Sequence, residues 1–162
     1  MVSIKGSQSD GADRRLQDLG IQLPAAPTPF GTYVETVQTG NLLFLSGMLP
    51  VVDRKPKFIG RLGKELDAGA GRDAAYIAAL NVLAAAKEHL GSLDRVTRVV
   101  RLGVFIATSG DFFDQPRVAD AVSDLFRDVF GIEKTSVRVV IGVASLPLGV
   151  PIALDVIFEV AE

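Results

Sequence analysis

The fold predicted for this chain depends on two apolar segments near the C-terminus, VRVVIGVA at residues 137–144 and IALDVIFEV at residues 152–160. Both are rich in β-branched residues and are bounded by Pro and Gly, which is typical of β-strands. Arg138 is the charge inside the first, and Asp155 is the charge in the middle of the second, which also has Glu159 next to its end. A charge inside an apolar strand loses hydration and has to find a partner. The sequence therefore predicts that Arg138 and Asp155 interact.

An antiparallel hairpin would bring these two charges together. With residues 145–150 as the loop, position 140 lies opposite position 155. Arg138 and Asp155 then project from the same face as diagonal neighbours, because side chains alternate between faces with period two. The neighbours on that face are small for their setting and leave room for a small anion: Val140, Gly142 and Ala144. Two interpretations stay open, a structural ion pair and a ligand site.

The composition suits a single domain that associates with further copies of itself. The chain has 162 residues, 48% of them hydrophobic and 7% aromatic, so subunit interfaces are expected to cover part of the apolar surface. Cysteine is absent, which excludes disulfides and thiol chemistry. His89 is the one histidine, and a zinc site of the usual ligand type is therefore not expected.

Charge and hydropathy exclude several other classes of protein. Lys and Arg total 17 against 19 acidic residues, for a net charge of −2, and the basic residues are not interleaved with aromatic ones. This pattern argues against dedicated nucleic-acid binding. No uncharged apolar run reaches the length of a membrane span, and residues 1–10 lack the apolar core of a signal peptide. A cytoplasmic location is expected.

The order of predicted elements is β-β-α-β-α-β-β in a single domain over residues 28–162. An N-terminal extension, residues 1–27, carries a short helix over 10–19. The remaining predictions follow from periodicity and from Gly and Pro boundaries: strands at 33–38, 41–46 and 95–107, and helices at 71–90 and 114–130. The apolar run 42–45 predicts a strand that is covered on both faces. Together these elements predict an α+β fold, with two main helices packed on one face of a mixed sheet.

Several short motifs now combine into a family resemblance. They are Gly31-Thr32-Tyr33, the stretch GNLLFLSGMLP at 40–50, Arg138 eight residues before Leu146-Pro147, and the acidic Asp155. In combination they resemble the Rid family of reactive-intermediate deaminases, also called YjgF, over residues 28–160. The chain is similar to a longer, poorly characterised branch that often carries the labels endoribonuclease-like or translation inhibitor.

The resemblance implies a chorismate-mutase-like fold and a homotrimer with sites at the subunit interfaces. It implies hydrolysis of enamines and imines such as 2-aminoacrylate to 2-keto acids and ammonia, with no cofactor and no metal. By the same resemblance, Arg138 matches the residue that holds the substrate carboxylate, and Asp155 matches the position of a glutamate that orients water. The other matched positions line the pocket: Tyr33, Ser46, Gly47 and the backbone of Val140.

Three departures from the family pattern leave the activity open. The family often has Ser and then Cys or Thr after the arginine, where this chain has Val139 and Val140. Asp155 is one methylene shorter than glutamate, and Pro116 occupies the place of a polar residue early in the second main helix. A non-catalytic binder of small carboxylates such as 2-keto acids is therefore an alternative. A ribonuclease or translation inhibitor is a further one, although it would need a basic surface.

Overall fold

A computed structural model describes residues 11–162 of the protein. The helices within this range are α1 (Ala12–Asp18), α2 (Ala68–Leu90) and α3 (Gln115–Phe130), with short 3-10 turns at Leu93–Arg95, Ile132–Lys134 and Pro147–Gly149. The strands are β1 (Thr36–Thr39), β2 (Leu42–Leu45), β3 (Val51–Val52), β4 (Lys55–Pro56), β5 (Val96–Ala107), β6 (Val137–Val143) and β7 (Ile152–Val160). The order predicted from the sequence is confirmed, with the small β3–β4 hairpin as an addition.

Five of these strands form one mixed sheet in the order β1-β2-β7-β5-β6. Strands β5 and β6 are parallel, and the other neighbours are antiparallel. Helix α3 connects the parallel pair, as a crossover between parallel strands requires. Helices α2 and α3 pack against each other and against one face of the sheet, so the predicted α+β arrangement is confirmed.

The predicted hairpin between the two charged strands is wrong. Strand β5 lies between β6 and β7 and hydrogen-bonds to both. The connection over residues 144–151 is longer than the two to five residues of ordinary hairpin loops, and it carries the chain across the end of β5. The two charged segments are strands as predicted, but they are not neighbours.

Burial along β7 shows which face of the sheet meets the helices. Buried and half-buried residues alternate along the whole strand, as expected for a strand with one covered face. The buried residues point to the helices, where Phe158 packs against Phe126 and Phe130 with ring centroids 6.1 and 5.6 Å away. The half-buried residues, Ala153, Asp155, Ile157 and Glu159, point to the opposite side, called here the open face.

The open face remains partly uncovered in a single copy of the chain. Phe44 is 39% exposed although its neighbours Leu43 and Leu45 are buried, so the prediction that this strand is covered on both faces is not met within one chain. At the other edge, Val137 is 69% and Ile141 43% exposed. Register places these three residues on the same face as Asp155.

Helix α1 is fixed to the rest of the fold by Asp13. Its carboxylate accepts hydrogen bonds from the Ser92 hydroxyl at 2.7 Å and the Leu93 amide at 3.4 Å, and the Lys87 ammonium lies 3.3 Å away. Burial opposes ionisation of Asp13, but these bonds and the Lys87 charge outweigh it and lower its pKa. The predicted N-terminal cap of this helix, Asp10, lies outside the described residues, and Gly11 precedes the first turn.

We expect Asp13→Ala to destabilise the protein by about 1–2 kcal/mol at neutral pH, because the donors of Ser92 and Leu93 would lose a charged acceptor. The pKa of Asp13 is lowered on folding, so this contribution is complete above the ordinary value of 3.8 and is lost as the pH falls through the lowered value. Urea denaturation of both proteins across pH 3–7 measures the effect.

The matched control is Asp18→Ala, which breaks the exposed Arg14–Asp18 pair of the same helix and should change stability by less than about 0.5 kcal/mol. An equal loss from both substitutions, or an Asp13 effect that is unchanged at pH 3, would contradict the assignment.

Candidate functional site

Arg138 lies on the edge strand β6, on the face that meets helix α3. Its Nη1 donates hydrogen bonds to Asp120 Oδ1 at 2.7 Å and to Ser123 Oγ at 3.1 Å. Both partners belong to α3, three residues apart on one side of the helix. The Arg138 side chain stays 28% exposed. The charge in this strand has therefore found a partner, as predicted, but the partner is Asp120.

Asp155 lies on the open face, so its predicted pairing with Arg138 is wrong. Arg138 of β6 pairs with Leu102 of β5, and Leu102 pairs in turn with Val156 of β7. Asp155 of β7 pairs instead with Gly103 of β5. Aligned residues of adjacent strands project from the same face, and Arg138 therefore shares a face with Val156. Asp155 is the next residue along and points the other way. It is half-buried, and it accepts no hydrogen bond from a side chain or an amide among residues 11–162.

Ser46 and Gly47 lie beside Asp155 at a bulge in β2. Between the pairs Phe44–Ile157 and Met48–Leu154, three residues of one strand (45–47) face two of the other (155–156). Such an insertion bends a strand and redirects its side chains. A side chain added at Gly47 would meet no atom within 4 Å, so the surface in front of this glycine is open. The structure thus brings together three predicted site residues: Ser46, Gly47 and Asp155.

The hydroxyl groups near this bulge differ in what they can still donate. Ser46 Oγ donates its proton to the Val34 carbonyl, which leaves it only as an acceptor towards a ligand. Tyr33 Oη accepts a hydrogen bond from the Phe30 amide at 2.9 Å, so its own proton remains available. Tyr33 is exposed and stands in the turn before β1.

These residues and Arg138 occupy opposite parts of one chain. Strands β7 and β5 separate β2 from β6, a distance of roughly 14 Å at about 4.8 Å per strand. Val140 lies on the same face as Arg138 and packs half-buried against the core. One small ligand cannot touch Arg138 and Gly47 of the same copy at once.

Sequence reasoning missed three residues that shape this region. An acidic residue on the polar side of a helix is usually solvated, yet Asp120 together with Ser123 orients Arg138. Glu35 lies next to the bulge, and its backbone carbonyl accepts a hydrogen bond from the Ser46 amide. Burial raises the pKa of the Glu35 carboxyl. The spacing of Asp120 and Ser123 indicates that they share one side of the helix. It does not indicate which residue they contact, because that depends on which strand packs against α3.

The described part of the chain offers neither a metal site nor a membrane-spanning helix. Within residues 11–162, no three residues among His, Asp and Glu come close enough together to hold a metal ion. None of the helices in this range has the length and apolar character that a membrane span requires.

Comparison with known proteins identifies the family. Residues 13–161 match the family described as "YjgF/chorismate mutase-like, putative endoribonuclease". The match includes helix α1 from Asp13 onwards. It covers the five-stranded sheet and the two main helices as well.

Individual relatives agree with this match. The chain is 43% identical over 145 residues to Protein TCP17 of Trypanosoma cruzi, covering 89% of this chain and 91% of that protein. It is 30% identical over 135 residues to a 2-iminobutanoate/2-iminopropanoate deaminase of Dermatophagoides farinae, covering 83% and 91%. A crystal structure of a protein of unknown function from Agrobacterium tumefaciens superimposes with a TM-score of 0.85 at 34% identity, covering 93% and 92%.

The family match extends over nearly the whole chain, and the deaminase relative reaches 30% identity. The observed sheet is mixed and has two main helices on one face, as predicted. The resemblance stated from the motifs is confirmed: the chain belongs to the Rid/YjgF family and has its chorismate-mutase-like α+β fold.

Proposed function

We propose that the protein hydrolyses small 2-imino acids and their enamine tautomers to 2-keto acids and ammonia. The observation that carries this proposal is the 30% identity, over 83% of the chain, to a 2-iminobutanoate/2-iminopropanoate deaminase. The residue types support it when two copies of the chain meet, since Arg138 of one copy can bind a carboxylate and Asp155, beside the β2 bulge of the other copy, can bind a water.

Arg138 is assigned to the substrate carboxylate. An arginine has five N–H donors in a planar fork. Asp120 and Ser123 engage Nη1, and no described residue accepts a hydrogen bond from Nε or Nη2. Those two nitrogens form the side of the guanidinium that binds a carboxylate with two parallel hydrogen bonds. Asp120 is then a positioning residue that holds the fork in place.

Asp155 is assigned to the attacking water. The water adds to C2 of the protonated imine, one of its protons passes to the carboxylate, and a neutral tetrahedral amino alcohol results. That proton then passes to nitrogen, and as the C–N bond breaks and ammonia leaves, the C2–OH proton passes to the carboxylate and the keto group forms. An enamine first accepts a proton at C3 to become the protonated imine. This route needs positioned groups and a proton relay rather than a strong nucleophile.

The active form is proposed to be a homotrimer in which two copies build each site. Arg138 would come from one copy, and Tyr33, Ser46, Gly47 and Asp155 from its neighbour, because one copy holds the two groups on opposite faces and roughly 14 Å apart. The exposed apolar residues of the open face support association, since a second copy would remove them from water.

A binder of small carboxylates without turnover is the second candidate. It is favoured by Val139 and Val140, which replace side chains that could relay a proton, and by the short reach of Asp155. Arg138 would hold the ligand in the same way. Ribonuclease activity, which the family description includes, is less well supported by a net charge of −2.

We expect Arg138→Ala to reduce kcat/KM for 2-iminopropanoate about 100-fold or more, because it removes the cation that holds the carboxylate. Release of ammonia and pyruvate is measured in a coupled reaction that generates 2-aminoacrylate. Arg127→Ala removes another exposed arginine near the same helix face and serves as the matched control. If wild type and Arg138→Ala both bind pyruvate equally and neither accelerates the reaction over buffer, both candidates fail.

Complementation between inactive variants tests the shared site. Arg138→Ala and Asp155→Ala should each be inactive alone, and unfolding and refolding them as a mixture should restore part of the activity. In mixed trimers, some interfaces receive an intact Arg138 from one copy and an intact Asp155 from the other. Absence of any recovery, with mixed assembly confirmed by mass spectrometry, would rule out a site divided in this way.

Association through the open face is tested separately. Ile141→Lys places a charge on this face and should convert trimers to monomers in sedimentation velocity at micromolar concentration. Phe113→Lys is the control, because Phe113 is 79% exposed but lies outside the sheet. A wild-type chain that sediments as a monomer would contradict the proposed assembly directly.

A further inference from the structure

A cavity of about 400 Å³ lies between the segment 24–30, the β3–β4 hairpin and Asn81 of helix α2. Its volume falls in the range of roughly 300–1,000 Å³ found for small-molecule sites, and it exceeds the roughly 150 Å³ that admits a benzene ring. Its walls are mainly apolar and come from Pro24, Ala26, Pro27, Phe30, Val51 and Val52. None of the residues assigned to the deaminase site lines it.

One buried polar side chain faces this cavity. Asn81, on helix α2, is 3% exposed. Its Nδ2 donates both hydrogens, to the carbonyl oxygens of Leu49 and Val51, each at 2.9 Å. Two acceptors on one side require the NH₂ group there, so the orientation of the amide is fixed. The Oδ1 atom accepts no hydrogen bond from any residue in the range 11–162, and no buried side-chain oxygen of these residues lacks a partner, so Oδ1 is accessible from the cavity that Asn81 lines.

The rim of the cavity is held in place by its own contacts. Arg54 donates hydrogen bonds to the Thr28 hydroxyl and to the Pro29 carbonyl at 3.2 Å, and its guanidinium lies 4.7 Å from the centre of the Phe30 ring. The residues of the turn, Asp53 and Arg54, have φ values of 51° and 64°, as a two-residue hairpin turn of type I′ requires. Neither is glycine, so the turn keeps a conformation that is costly for both residues.

We propose that this cavity binds a neutral, ring-sized apolar molecule that donates one hydrogen bond to Asn81 Oδ1. The apolar walls favour a flat hydrocarbon or heteroaromatic body. The charges of Asp53 and Arg54 at the rim cancel, which favours a neutral ligand over an ion. The accessible Oδ1 favours a ligand with an N–H or O–H group, because a ligand without a donor would displace water from this oxygen and leave it unpaired. The site is separate from the deaminase site and does not depend on that function.

Indole and N-methylindole are suitable probes, because they have nearly the same shape and differ in the N–H donor. Titration of the isotope-labelled full-length protein with indole should shift the side-chain amide signals of Asn81 and the backbone signals of residues 24–30 and 51–54. We expect N-methylindole to bind about tenfold more weakly. Ala26→Phe and Val52→Phe each fill the cavity from a different wall and should abolish the shifts.

Circular dichroism identifies which of the two filled variants is folded, and unchanged ammonia release in that variant would confirm that the site is separate. Absence of indole shifts at millimolar concentration would overturn the proposal. So would equal binding of the two indoles, or undiminished binding by a folded, filled variant.

Discussion

Strand β5 hydrogen-bonds to both charged strands, and this placement determines where Arg138 and Asp155 lie. Because β6 runs parallel to β5 and β7 runs antiparallel to it, Leu102 aligns with Arg138 on one side and with Val156 on the other. Arg138 is thereby directed to the helices and Asp155 to the open face. The same placement leaves β6 as an edge strand, where a second copy can approach Arg138. A hairpin would have paired the two charges and left no reason for the site to extend beyond one chain.

Local signals in the sequence were sufficient for the main helices and strands and for the fold class. Gly91 ends α2 with a φ of 80°, as its position after an Ala-rich run indicates, whereas the start was predicted three residues late, because Asp67, which caps the helix through the Ala70 amide at 2.8 Å, was not recognised as the cap. The alternation along β7 likewise reports one covered face. The motifs around Tyr33, Ser46 and Arg138 were enough to identify the family.

The strand order could not be read in the same way. Two β-branched segments separated by a loop are compatible with a hairpin and also with a connection that crosses a third strand. The one sequence feature that favours the second arrangement is the length of the connection, residues 144–151. Asp120 could not be recognised as the partner of Arg138, since an acid on the polar side of a helix is usually solvated. The sequence contains no sign that Asn81, one polar residue in an Ala-rich helix, is buried and hydrogen-bonded. The carbonyl groups that its amide binds belong to a loop and a strand 30 or more residues away in the chain.

The Asp120–Arg138 pair has consequences for any ligand of this arginine. A guanidinium fixed on its Nη1 side gives up less conformational freedom when a carboxylate binds to the remaining donors, which favours binding. The Asp120 charge also offsets part of the attraction that Arg138 exerts on an anion. A ligand that meets Arg138 therefore gains most from geometry, through two parallel hydrogen bonds, and less from net charge. Under the proposed function, this balance is expected to favour planar carboxylates over other small anions, for a catalyst and for a simple binder alike.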